Sequence, residues 1–164
     1  MRDNKFKLNK TVFTDEDFDN MKWHDCRIHS IGFYPDEYEV AFDIDYIFEW
    51  EKPESNETHF KLWISPATLV FHNINDLEIS VEPSRGLNVD FLERTDPREP
   101  KNLKYLQQKK HEWLWKMGCM EGEIKMYSVG YSLFVRRPPK LFTNDSPLGT
   151  ERRIISFDRE FAAE

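Results

Sequence analysis

The chain has 164 residues and a formal net charge of −7, with 32% charged and 15% aromatic residues. That length suits a single β-rich domain over residues 1–164 with a sizeable core. The acidic balance excludes a nucleic-acid backbone as the main partner, because neutralising phosphates takes clustered Lys and Arg.

Thirteen Phe, six Tyr and five Trp predict an aromatic-rich core. Two cysteines, Cys26 and Cys119, are too few for a disulfide framework. Both thiols are therefore expected reduced, in the cytoplasm. The charged start MRDNKFK leads into no apolar signal core, and no run approaches the roughly 18 apolar residues of a membrane helix. No membrane partner is expected.

Taken in chain order, Thr14 caps a short N-terminal helix predicted over residues 15–21, with acidic side chains in its first turn. Trp23-His24-Asp25-Cys26 leads into a strand over residues 27–34. Pro35-Asp36-Glu37 is turn chemistry, predicting a hairpin. Residues 38–50 then alternate almost without a break. Tyr38, Val40, Phe42, Ile44, Tyr46, Phe48 and Trp50 take one side; Glu39, Asp43, Asp45 and Glu49 take the other. Period-two alternation predicts one strand, apolar inside and acidic toward solvent. At roughly 3.3 Å per residue it would span about 40 Å.

Further strands are predicted at residues 58–65 and 68–72, with Pro66 interrupting the ladder. More follow around Leu77 to Val81, Leu87 to Phe91 and Trp113 to Met117. Residues 95–102 read as a surface loop. In residues 123–135 the apolar phase switches from even positions (Ile124, Met126) to odd ones (Tyr131, Leu133, Val135), predicting a β-bulge near 128–130. The double proline after Arg136-Arg137 ends the sheet, and residues 154–157 are a candidate edge strand. The fold class is mainly β: an antiparallel β-sandwich or strongly curved sheet with a short N-terminal helix.

No nucleophile elbow, phosphate loop, CxxC or HExxH occurs, so neither a cofactor nor a metal is expected. His24 and Cys26 stand two apart, as do Asp43 and Asp45. Close carboxylates raise each other's pKa and can do acid–base work. His24, Asp25, Asp43 and Asp45 are therefore the candidate set for a small metal- or ligand-binding enzyme. The alternative is plain structure: local hydrogen bonds at His24 and Asp25, and a solvated strand face at Asp43 and Asp45. A buried Asp45 would require a partner such as Arg27, Arg136 or Arg137. Trp63, His59 and Lys61 form a candidate interaction patch, since Trp is enriched at binding hot spots; the alternative buries Trp63 in a second core layer. A homodimer through that face is a further reading.

The segment Trp23-His24-Asp25, followed by DIDYIFEW (residues 43–50) and SPATLVFHNINDL (residues 65–77), resembles a pattern in uncharacterised bacterial all-β proteins. GEIKMYSVGYSLFVR (residues 122–136) is similar to the second half of that group. The resemblance spans most of the chain and implies no activity. By analogy alone, the small acidic β-rich architecture is similar to immunity proteins of bacterial toxin systems. Charge and surplus aromatics favour a non-enzymatic protein that binds a protein partner, a basic one by charge; the alternative is that the charge serves solubility alone.

Overall fold

A computed structural model describes residues 5–83, 86–106, 111–143 and 154–163. Among them are ten strands: β1 (Val12–Thr14), β2 (Arg27–Tyr34), β3 (Glu39–Glu51), β4 (Lys61–His72), β5 (Asn75–Val81), β6 (Leu87–Arg98), β7 (Glu112–Cys119), β8 (Gly122–Ser128), β9 (Gly130–Val135) and β10 (Lys140–Phe142). They form one antiparallel sheet in the order β1-β9-β4-β3-β2-β6-β7-β8-β5, with β10 beside β4. The sheet is open and strongly curved. Among the described residues the ladder joins its two halves through Arg27 and Ile28 of β2, paired with Asn88 and Leu87 of β6.

The halves fold face to face, and aromatic side chains fill the space between them. Trp115 of β7 meets Phe71 of β4 at 5.7 Å and Tyr131 of β9 at 5.4 Å between ring centroids. Its Nε1–H donates to the Ser128 carbonyl at 3.1 Å, so the indole is buried without an unmet donor. Directly paired residues share a face. The register therefore lines up Val40, Phe71 and Tyr131, then Phe42, Leu69 and Leu133, toward this core.

The predicted N-terminal helix is a six-residue 3-10 helix, Asp15–Asn20. Thr14 Oγ1 accepts from the Glu16 amide, and Asp17 reaches back to the Thr14 amide.

Three local expectations are corrected. β4 runs unbroken through Pro66, because Pro66 sits where β9 has ended. Its carbonyl accepts from the Arg136 amide just past β9, and the Arg136 carbonyl that its missing N–H would face accepts from the Ala162 amide instead. β6 continues to Arg98 through Pro97, with a register shift between Thr95 and Arg98 that absorbs the proline. The phase switch near residue 129 is no bulge in one strand. β8 belongs to one half of the sheet and β9 to the other, and each aims its apolar row into the shared core. Gly130 makes that crossing at φ 156°, where a Cβ would collide with the Asp15 carboxylate.

Residues 154–163 add no strand. They lie extended over the outer face of β2, β3 and β4.

Candidate functional site: an acidic–aromatic surface and a covered polar face

The four sequence candidates separate into two places. Trp23 to Cys26 form a turn closed by the Cys26 amide on the Trp23 carbonyl. Trp23 and Cys26 are buried in the core, so His24 and Asp25 between them project outward. Asp25 takes φ 65°, a left-handed conformation that Asp tolerates. Its amide donates to the Val89 carbonyl, tying the turn to β6.

On this turn the His24 ring lies between two carboxylates. Nδ1 is 3.0 Å from Asp90 Oδ1 and Nε2 is 3.5 Å from Asp25 Oδ2. The same ring stacks on Trp50, with centroids 6.1 Å apart and planes 22° apart, and Trp50 meets Phe60 edge-on at 5.9 Å. Trp50 and Phe60 are 36% and 48% exposed. His24, Trp50 and Phe60 thus make one exposed aromatic strip with acidic groups at its rim. The turn brings His24 out while Cys26 goes in, so the two do not share a face. Among the described residues no group of three His, Cys, Asp or Glu is placed to hold a metal ion.

Asp43 and Asp45 point to the outer face of β3, and that face is not solvated: the two are 0% and 3% exposed. The expectation of an acidic face toward water is corrected, because residues 154–163 cover it. Asp43 Oδ1 accepts from Arg136 Nη2 at 2.8 Å, and Asp43 Oδ2 accepts from the Ser156 amide at 3.1 Å. Asp45 Oδ2 meets His29 Nε2 at 2.7 Å. A bulge between Ile28 and Ser30 inserts His29 as the extra residue of β2 and turns its ring toward Asp45. Of the cations named for Asp45, Arg136 bonds Asp43 directly, and the Asp45 charge also acts on it. Sequence reasoning missed His29 as a partner; the bulge that aims it leaves no periodic mark. A buried ion pair rarely repays its own desolvation, so Asp43–Arg136 reads as a positioning device.

Farther along the same face Ser132, His72 and Glu39 stand in line. His72 Nε2 is 2.8 Å from Ser132 Oγ, and His72 Nδ1 is 2.6 Å from Glu39 Oε2. The spacing is that of a nucleophile, a base and an orienting acid. Ser132, however, sits mid-strand, with β9 paired to β1 on one side and β4 on the other. The ladder occupies the amides that would stabilise an oxyanion. Burial alone would raise the Glu39 carboxyl; hydrogen bonds from Arg159 and His72 outweigh it and hold the group below its ordinary value.

Trp63 is 7% exposed. It falls in the inward row of β4, in phase with Ala67, Leu69 and Phe71. Phe6 covers it at 5.6 Å, and its Nε1–H donates to Glu51 Oε1 at 2.7 Å. His59 is exposed, and Lys61 Nζ pairs with Glu57 at 3.0 Å. These three do not form an exposed tryptophan patch, and the homodimer reading loses its anchor. A cavity of about 590 Å³ opens between residues 154–162 and β4 and β10, with Ile64, Pro66 and Phe142 on its apolar side.

Comparison with protein-family models, curated proteins and solved structures finds no match to this chain.

Proposed function

We propose that this protein is a non-enzymatic binding domain for a basic protein partner, acting in the cytoplasm in the manner of a toxin-immunity protein. The observation that carries the reading is the contiguous strip His24, Trp50 and Phe60, rimmed by Asp25 and Asp90. Tryptophan exposed beside a second aromatic is the composition of an interface centre, and carboxylates at the rim steer a cationic surface toward it. The net charge of −7 acts in the same direction at longer range. Both cysteines are free thiols, which suits a reducing compartment.

Enzymatic use of His24, Asp25, Asp43 and Asp45 finds no support in their arrangement. One pair stands on the exposed turn, and the other is engaged beneath the C-terminal segment.

The test is affinity capture with the immobilised full-length chain at about 0.1 M salt, where surface charges still act over about 10 Å. The wild type retains a basic protein that elutes as salt rises. The double variant Trp50→Ala, Phe60→Ala loses it. Equal retention by the double variant would refute the assignment of this surface.

A further inference from the structure

We propose that the outer face of β2, β3 and β4 is a second binding site: a groove for an extended peptide, with residues 154–163 as its resident occupant. The segment forms neither strand nor helix. It is held by groups of β3, β4 and Arg136 that address its backbone. Asp43 Oδ2 accepts from the Ser156 amide at 3.1 Å, and Arg136 Nη1 donates to the Ser156 carbonyl at 2.8 Å. Thr68 Oγ1 donates to the Asp158 carbonyl, and the Ala162 amide donates to the Arg136 carbonyl at 2.9 Å. Groups that read backbone atoms carry little sequence preference, so another extended segment can use them.

Two side chains supply what selectivity there is. Phe157 lies over Gly32, where a Cβ would come within 3.0 Å of its ring, and meets Tyr34 at 6.2 Å. Arg159 Nη2 donates to Glu39 Oε1 at 2.8 Å. The ligand class is therefore an extended peptide of a partner protein, carrying an aromatic residue followed two positions on by a cation.

The face beneath the occupant is mixed. Water can take over the hydrogen bonds of Asp43, Thr68, Arg136 and Glu39 when the segment lifts, and the apolar area uncovered around Ala41, Val70 and Ile64 is area that an incoming aromatic peptide covers again. Acting in cis, the tail competes with any incoming peptide and lowers its apparent affinity by the fraction of open groove. The His24–Trp50–Phe60 strip takes no part, so the two surfaces succeed or fail independently.

The experiment uses the full chain and a fluorescein-labelled peptide of sequence IISFDREFAA, followed by anisotropy. Arg159→Glu sets a carboxylate against Glu39 and loosens the tail without touching the core. The peptide is expected to bind this variant at least about fivefold more tightly than it binds wild type. Phe157→Ala in the full chain gives a second, independent loosening with the same expected gain. A peptide with the phenylalanine matching Phe157 replaced by alanine binds neither variant. Equal affinity for wild type and both variants, or binding indifferent to that phenylalanine, would overturn the proposal. So would a dimer of the variants, seen by light scattering and dissolved by peptide, since a second copy would then be the occupant.

Discussion

Cys26 is buried, and burial pushes its thiol up to about 12, with the neighbouring Asp45 and Asp25 charges adding to the shift. Cys119 is pushed up to about 11, by burial first and then by Glu121 and Asp90. A thiol held protonated is a poor nucleophile. A colourimetric thiol reagent at pH 8 should therefore react slowly with the native protein and rapidly with both thiols after unfolding. Since these values are raised, the linked stability is complete below the ordinary cysteine value of 9.0 and is lost as pH climbs through the native values. Prompt native reaction at Cys26 would contradict the packing around the Trp23–Cys26 turn. Asp43 is the other decisive single residue. Asp43→Ala removes the carboxylate bonded to the buried Arg136 guanidinium, and the expected loss is about 3–5 kcal/mol in denaturant unfolding. A loss under about 1 kcal/mol would mean that water already reaches the pair.

At the scale of elements, the C-terminal segment is the part whose hold depends on acid. Glu39 titrates below its ordinary value of 4.5, because its bonds to Arg159 and His72 outweigh its burial. A depressed carboxyl contributes stability that is complete above the unfolded value and is lost as pH falls through the native one. Amide signals of residues 156–162 should thus move together as pH falls below 4.5. Signals that stay unchanged down to about pH 3 would rule out this clasp.

Elements also mark where the sequence was legible. The alternation of β3 placed Val40, Phe42, Ile44 and Tyr46 correctly toward the core, but it put Tyr38 and Trp50 in the same row, and these are 60% and 36% exposed, Trp50 lying beyond a register shift at Ile47–Glu49. Its outer row was misread, because a strand's own periodicity holds no information about a segment more than 100 residues away that covers it. Trp63 was misphased for a related reason. Splitting β4 at Pro66 hid that Trp63 shares its row with Leu69 and Phe71. The even-to-odd switch between Met126 and Tyr131 was a true signal given the wrong cause. A layer change and a bulge leave the same mark in one dimension.

At the scale of the molecule, a single curved sheet closes on an aromatic core and leaves two differently built outer regions. One is an exposed strip that joins His24, Trp50 and Phe60 from three separate stretches of chain. Only the fold brings them together, so no linear motif could have announced the strip. The other is a face of polar and apolar residues already occupied by the chain's own residues 154–163. The strip is the centre of the proposed function. Its most direct test is calorimetric titration of the captured basic partner against three full-length proteins: wild type, Trp50→Ala, and Ile79→Ser as an exposed apolar control on β5. A hot-spot tryptophan is worth about 2 kcal/mol or more, roughly a thirtyfold loss of affinity. Trp50→Ala should show that loss while Ile79→Ser matches wild type. Unchanged affinity for Trp50→Ala would contradict the claim that this surface is where the partner binds.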